Sequence, residues 1–537
     1  MNSKCVDTDG DGVGDVDADK NNDGEIDMSE ALAVTQLDIS NKEIVSIEGT
    51  EHFKELKMLN CYYNKIQSLD VNSLTKLEEI NCGYNNLGTL SFENLLNLKE
   101  VYCYYSELTE LTFSNTPDLK TVLAQNNKLL TFETDQIPNL ERLVLRVNEL
   151  TSLNVNGLQK LESLEIGGNQ ISSLEFIDLP ALVVLAIGGV NRFKYVELKD
   201  LPALEEVNLA YTITETLKLI NLPSLLRVDA INAKLNLIEL KELPSLGFID
   251  VKGNELKKLE VRDLPALDQL LCSENLLEEL LVENVPNIQT LYCRWNNLIA
   301  IYYKENVLPP GLDFNNNPNL KYICASDKNA TRFRDLAQQY EIENVLINSY
   351  CDFNPFGDIG VVQGTLKYDG DGNGCDQNDL SPLFLNFDIS KGNEISRLMI
   401  NRSPFYIHLN PGTYLFKTSN FEANNGFEIS PAQFEVIINA HNDTITQNFC
   451  ITPKEPYRKV DITIIPLSPP ARPGFNADYK IIWENKGNLL ENGTISFSYD
   501  ENLFDYVDAN QTPDAINSGK LSWDYTDLLP FEKERSS

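Results

Sequence analysis

Between residues 59 and 314, apolar and polar positions recur every 21 residues in the order L-x-x-L-x-C/L-x-x-N-x-L-x-x-L-x-V-x-x-L-P-x. The asparagine of that unit stands at Asn64, Asn85, Asn127, Asn148, Asn169, Asn191, Asn254, Asn275, Asn296 and Asn317, with Ser106, Thr212 and Ala233 in the same column. Only the step from Asn169 to Asn191 is 22 residues. Proline keeps the beat at Pro117, Pro138, Pro180, Pro202, Pro223, Pro244, Pro265 and Pro286, with Gln159 filling the gap. A fixed period in the twenties marks a solenoid of stacked units. Within each unit L-x-x-L-x-C is echoed by L-x-x-L-x-V, and short apolar alternation of this kind predicts half-buried strands. The expected fold is therefore mainly β, with two strands per rung and parallel sheets on both faces.

Local chemistry supports that reading. Proline excludes helix from the second turn, while asparagine in the first turn offers a side chain to backbone groups that no strand pairs with. Where Ala233 stands, those groups need another partner. Stacked strands lie about 4.8 Å apart, so thirteen steps give a rod on the order of 60 Å before caps. The extra residue around 188–190 is expected as a local bulge, because the rungs on either side keep register.

The cysteines divide by column. Cys61, Cys82, Cys103, Cys272 and Cys293 share a position that elsewhere holds Ala124, Leu145, Ile166, Leu209, Val251 and Phe314. A position exchanging Cys with aliphatics is a packing position, so these five are expected as buried thiols. Cys5, Cys324, Cys351, Cys375 and Cys450 lie outside the columns and read as disulfide candidates in an oxidising compartment. Four of them allow three pairings, of which Cys324–Cys351 with Cys375–Cys450 is favoured.

The repeat opens near residue 37 and ends near Cys324. Apolar spacing over 327–340 predicts a capping helix and 345–347 a closing strand over the last open rung. Beyond residue 351 the period disappears and short alternating strands begin. Residues 409–416 read as a hairpin edge, and 459–465 and 479–487 as strands. Four regions follow: acidic loops over 1–36, a solenoid with its cap over 37–350, and β-sandwiches over 351–453 and 454–537.

The 21-residue unit resembles the leucine-rich repeat, in the bacterial form with parallel sheets on both faces, and more than a dozen units agree in register over 37–350. The acidic turn at 369–376 with the P-G-T-Y sequence at 411–414 resembles prealbumin-like β-sandwich modules of bacterial surface proteins. The last stretch, with Leu521–Trp523 and Leu529–Glu532, resembles immunoglobulin-like domains near the end of large flavobacterial secreted proteins. In that family at least one more strand follows the position of Glu532, so this module is expected to be truncated. Together the order resembles surface proteins of the Bacteroidota exported by the type IX secretion system. Those carry a signal peptide and a C-terminal sorting domain; this sequence shows neither, which fits a fragment. The resemblance implies an extracellular or outer-surface location.

Charge sharpens the picture. The 80 acidic against 44 basic residues give a formal net charge of −36, a field that repels nucleic acid and anionic membranes and favours cations. No apolar run approaches the length of a membrane span.

Two acidic loops open the chain. Asp7, Asp9, Asp11, Gly12 and Asp15 recur twelve residues later as Asp19, Asn21, Asp23, Gly24 and Asp27. The second continues to Ile26 and Glu30, completing D-x-N-x-D-G-x-I-x-x-x-E, a spacing that supplies the six to eight oxygens calcium takes. Asp19, Asn21, Asp23 and Glu30 are expected to bind through side chains and Glu25 through its carbonyl, with Asp27 acting through water. The first loop has Ala18 in place of the final Glu and is the weaker site. It resembles thrombospondin type 3 repeats, and the second resembles the EF-hand and dockerin half-motif. Asp369, Asp371, Asn373 and Asp379 form a third candidate calcium loop.

His52, His408 and His441 lie in separate contexts, and no nucleophile, phosphate-loop or zinc-protease motif occurs, so no enzymatic activity is expected. If the strand before each asparagine lines an open face, its outward residues include Met58, Asn60, Tyr62, Asn81, Tyr102, Tyr104, Arg142, Val144, Arg146, Glu165, Phe248, Asp250, Lys252, Tyr292 and Arg294. Tyrosine and arginine are enriched at recognition hot spots, which makes Tyr62, Tyr102, Tyr104, Arg142, Arg146, Tyr292 and Arg294 the candidate ligand face. The expectation is a secreted or surface-displayed adhesion or binding protein, monomeric, recognising a protein or glycan and stabilised by calcium. A structural stalk and an accessory region of a larger polysaccharide-degrading enzyme are the alternatives.

Overall fold

The computed structural model describes all residues except 1–3, 9–13, 343–344, 349–357, 382–384, 393, 401–402, 419–425, 440–442, 468–471, 473, 531 and 537. The chain divides into two compact units, Met1–Ile323 with Arg332–Val345, and Cys324–Thr331 with Leu346–Ser537.

The first unit is a leucine-rich repeat solenoid. Its front ladder has fourteen parallel strands, from Gln36–Asp38 to Gly311–Asp313, each three residues long. The middle residue of each strand points inward, so Leu59, Ile80, Val101, Leu143 and Leu164 form a fully buried column. The cysteine column is buried beside it, and Cys61, Cys82, Cys103, Cys272 and Cys293 are free thiols. Pairing steps of 21 residues run through the ladder, as in Leu59 with Ile80 and Ile80 with Val101. Two steps are 22, Leu37 with Leu59 and Leu185 with Val207. At the second of these the extra residue is taken up outside the strand. Asn191 reaches four residues back to the carbonyl of Ile187, where Asn169 reaches three back to Ile166, and Val190 is pushed into solvent.

The asparagine column stitches rung to rung. Asn85 Nδ2 donates to the carbonyls of Cys82 (3.1 Å) and of Cys61 on the preceding rung (3.0 Å), while its Oδ1 accepts from Ile66 N (3.0 Å). Asn169 repeats the pattern with Ile166, Leu145 and Leu150 and has no exposed surface. At Ala233 the following rung substitutes: Asn254 Oδ1 accepts from both Ala233 N and Leu235 N.

The back ladder is discontinuous. Strands pair as Thr89–Glu93 with Glu110–Ser114, then Tyr195–Lys199 through Leu237–Lys241, then Lys258–Arg262 onward. In the gaps before Thr89 and between Ser114 and Tyr195, polar side chains capture backbone donors that a neighbouring strand would otherwise satisfy. Asp70 Oδ1 accepts from Asn72 N and Asn72 Oδ1 from Glu93 N; four rungs on, Asn154 Oδ1 accepts from Asn156 N and Asn156 Oδ1 from Ile177 N.

Both ends of the ladder are covered. Val6 forms antiparallel bridges to Val16 and to Leu37 of the first rung, and Asp38 N donates to Cys5 O. At the far end a helix spans Asp327–Gln339, and within the first unit Phe333 packs edge-on to Tyr303 and against Phe314. A strand follows at Leu346–Asn348.

The second unit contains antiparallel and mixed sheets over both stretches read as separate sandwiches. The expected hairpin at 409–416 is not one. Phe405–Leu409 pairs with Gly360–Gly364, while Gly412–Thr418 pairs with Leu385–Lys391 and Gln433–Ile438 in another sheet. Pro411 has no N–H for a hairpin ladder, and Tyr414 Oη donates to Asn410 O across the resulting corner (2.8 Å). In the last module Trp483 and Ile481 of one sheet face Ile495, Leu521 and Trp523 of the other. A strand does follow Glu532: Lys533–Ser536 pairs with Tyr479–Asn485.

Candidate functional site

Seven of the fourteen front strands end in an Asx-type turn. Asn60 Oδ1 accepts from Tyr62 N, Asn81 from Gly83 N, Asn208 from Ala210 N and Asp250 from Lys252 N. With or without that bond, the bend after the front strand puts the residue before the asparagine column in the left-handed region, with φ between 51° and 61° at Tyr63, Tyr84, Tyr105, Asn126, Val147, Tyr211, Asn232, Glu274, Trp295 and Asn316. Left-handed backbone suits Gly, Asn and Asp; a bulky or β-branched residue there is an outlier. Yet this chain places Tyr63, Tyr84, Tyr105, Tyr211 and Trp295 at such turns, with 56%, 36%, 46%, 64% and 57% of their surface exposed.

The second to fourth rungs of this edge carry a continuous aromatic surface. Ring centroids of Tyr62, Tyr63, Tyr84, Tyr104 and Tyr105 lie 4.5–6.1 Å from their neighbours, with Tyr84 stacked on Tyr105. Gly83 makes room for it, since a Cβ there would lie 3.1 Å from the Tyr104 ring. Partial burial, then neighbouring hydroxyls, pushes the Tyr84 phenol above its ordinary range; burial does the same for Tyr104. Both stay neutral donors at physiological pH.

Of the residues expected on the ligand face, Tyr62 and Tyr104 join this cluster. Tyr102 instead donates its hydroxyl to the Glu100 carboxylate. Two rungs further, Arg142 and Arg146 converge on one carboxylate, Glu165, at 3.5 Å each. With Gln125 they line a depression of about 280 Å³, and Gln125 Oε1 is buried there with no partner. Arg294 pairs with Asp313 at 3.7 Å, and Tyr292 is exposed beside it. Tyr63, Tyr84, Tyr105, Tyr211 and Trp295 escaped the sequence reading. It counted strand-facing positions, and the left-handed turn adds one more outward residue per rung. The signal was available as the residue before each asparagine.

The acidic loops share a second recurring geometry. Asp19 is buried (5% exposed), its Oδ2 accepts from Gly24 N at 2.9 Å, and its Oδ1 has no partner. Asp369 is buried (4%), its Oδ2 accepts from Gly374 N at 3.2 Å, and its Oδ1 is likewise unpartnered. Gly24 and Gly374 have φ of +92° and +93°, open to glycine alone without strain. In the N-terminal loop Asn21 Oδ1 accepts from Asp23 N and Asp23 Oδ1 from Glu25 N. Glu30 Oε1 accepts from the amides of Lys20 and Asn21, and Oε2 from Asp27 N, while Asp27 caps the short helix Met28–Ala31. Hydrogen bonds from Thr8 hold the Asp15 carboxyl below its usual range. Asp7 is buried, and Asp9, Asp11 and Gly12 lie outside the described residues. Among the described residues, Asp369, Asp371 and Asp379 each bring a carboxylate oxygen within 4.8 Å of the others'. Asn373 Nδ2 donates to Asp371 Oδ2.

Cys375 is joined to Cys450. Cys324 is disulfide-bonded, and Cys351 lies outside the described residues. Among the described residues, no helix is long and apolar enough to cross a membrane.

No protein-family model matches this chain. No curated protein matches it by sequence. Solved structures similar to it include an internalin, InlF, from Listeria monocytogenes, 20% identical with a TM-score of 0.38 over 50% of this chain and 83% of that one. The functional domain of InlJ from the same organism, described as including a cysteine ladder, is 16% identical with a TM-score of 0.34, covering 80% of this chain and 92% of its own. YopM, a leucine-rich effector protein from Yersinia pestis, is 25% identical with a TM-score of 0.40 over 53% of this chain and 84% of its own.

Proposed function

We propose that this chain is a non-enzymatic binding protein, displayed or secreted outside the cell, that grips a protein partner along the exit edge of its front ladder. One observation carries the reading: exposed aromatic side chains occupy left-handed turn positions that the backbone alone would give to Gly or Asn. Strained outliers of this kind point toward function, and tyrosine with arginine supplies the anchors of protein recognition. The Arg142–Glu165–Arg146 depression adds a place for an acidic or amide group of the partner. The Cys375–Cys450 disulfide supports an oxidising, extracellular setting.

Calcium is the expected cofactor of the N-terminal loop. The buried, unpartnered Asp19 Oδ1 fits a cation ligand, with Asn21, Asp23, the Glu25 carbonyl and Glu30 completing an all-oxygen set. Because Val6 and Asp38 tie this segment to the first rung, binding there stabilises the solenoid's covered end. At a hundredfold excess over the dissociation constant the gain is about 2.7 kcal/mol. Melting curves in calcium and in chelator check this, and Glu30→Gln should remove most of the calcium-dependent rise in midpoint.

The partner reading is tested by presenting the full chain to an array of purified extracellular proteins and glycans. A discrete protein partner, lost in Arg146→Glu, is the expected result. Selective capture of glycans would make the edge a sugar-binding face, and silence across both sets would favour the stalk.

A further inference from the structure

The acidic loop of the second unit sits where its two modules meet. Tyr368, directly before Asp369, donates its hydroxyl to the carbonyl of Asn488 at 2.6 Å in a buried contact. Asn488 belongs to the last module and is 1% exposed. Its Nδ2 donates to Gly426 O of the preceding module (3.0 Å) and to Glu455 O of the connecting segment (2.6 Å), and its Oδ1 accepts from Tyr457 N (2.7 Å). A Cβ on Gly370 would lie 3.4 Å from Leu490 Cδ1, so the loop backbone itself lies against the last module. The Cys375–Cys450 disulfide anchors the middle of the loop to the strand Phe449–Pro453, which leads into the connecting segment.

Three carboxylates converge in this loop, and the one at its base is buried with an oxygen that nothing satisfies. An unpaired buried carboxylate oxygen is strongly unfavourable unless a cation or donor meets it. Lys367 is the nearby positive group, but its Nζ is engaged by the carbonyls of Gln377 and Asp379. Hydrogen bonds orient the other donors without consuming them. Asp371 accepts from Asn373 N and Nδ2, and Asp379 Oδ2 from Asp376 N. A carboxylate has about four lone-pair sites, so both retain capacity for a metal. The ligand set is all oxygen, as hard divalent cations require, and the Cys375 carbonyl stands at the seventh place of the loop, which in calcium loops supplies a backbone oxygen.

We infer that Asp369, Asp371 and Asp379 bind one calcium ion, and that this ion fixes the junction between the two modules by holding the loop against Tyr368 and Asn488. The site does not depend on the N-terminal loop. It differs from that loop in lacking a glutamate at the twelfth place, where Leu380 stands.

The test uses the full chain carrying Glu30→Gln, Asp19→Asn and Asp15→Asn, so that binding at both N-terminal loops is suppressed, and the same chain with Asp371→Asn added. Asp371 is exposed, and its replacement spares the buried Asp369. Calcium titration by calorimetry should give one binding event in the first and at least a tenfold weaker one in the second. Hydrogen exchange should show amides of 454–459 and 486–490 slowed several-fold by calcium in the first chain and unchanged in the second. No binding heat in the first chain, or equal affinity in both, overturns the site. Binding without slowed exchange at the junction overturns its role there.

Discussion

Most rungs of the solenoid make two left-handed turns, one leaving the front strand and one leaving the back, and the chain fills them differently. At the back exit the residues are Asn94, Asn115, Asp178, Asp200, Asn221, Glu242, Asp263 and Asn284, with φ between 52° and 58°. These are mostly the types that tolerate such backbone, and neighbours form a polar surface row in which Asn115 donates to Asn94 and Asn284 to Asp263. At the front exit the same backbone carries four tyrosines, a tryptophan and a valine beside Asn41, Asn126, Asn232, Asn316 and Glu274. The conformation is shared, so it does not explain the choice. What differs is the use of the side chain: the back exit satisfies itself, while the front exit holds out aromatic surface.

The two exits also differ in what lies beneath them, and the largest expected effect follows from that. Asn169→Ala would strand the Leu150 amide and two carbonyls inside the front turn, each buried orphan costing about 1–3 kcal/mol. A destabilisation of about 3 kcal/mol or more is expected in urea unfolding. Asn221→Gly at the back exit keeps the left-handed turn and removes only an exposed bond to Asp200, so it should shift stability by less than about 0.5 kcal/mol. Equal effects would erase the distinction.

A smaller effect sharpens the same contrast through pH. Burial pushes the Cys61 and Cys272 thiols, beneath the front ladder, from 9.0 up to about 12. The fold favours the neutral thiol, so this contribution is complete below about pH 9 and is lost as pH rises from 9 toward 12. The urea midpoint should fall between pH 8 and pH 10.5 and fall less in Cys61→Val with Cys272→Val, which should fold because other rungs place aliphatics in that column. A parallel decline in both proteins would assign the alkaline sensitivity elsewhere.

Much of this was legible in the sequence. The 21-residue spacing determined the rungs, the inward cysteines and the asparagine turns, because each rung repeats one local solution and errors in reading one are corrected by its neighbours. The breaks in the back ladder were not legible. Two of the gaps lie where Asp70, Asn72, Asn154 and Asn156 take backbone amides onto their side chains, a local contest that an apolar pattern does not register. The aromatic edge was half legible. Tyr62 and Tyr104 follow from strand alternation, but Tyr63, Tyr84 and Tyr105 depend on a turn whose handedness appears only with the backbone. Asn488 was invisible, since a single polar residue gives no hint that it will link two modules.

On the proposed function, the front-exit aromatics serve recognition and not the fold. The direct measurement is a melting curve together with array binding for the triple variant Tyr63→Asn, Tyr84→Asn, Tyr105→Asn. Relief of left-handed strain, about 1–2 kcal/mol per residue, offsets ring contacts of about 0.5–1.5 kcal/mol each. A midpoint equal to or above that of the parent is therefore expected, with loss of the protein partner that the parent captures. A clear drop in midpoint with the partner still bound would contradict it.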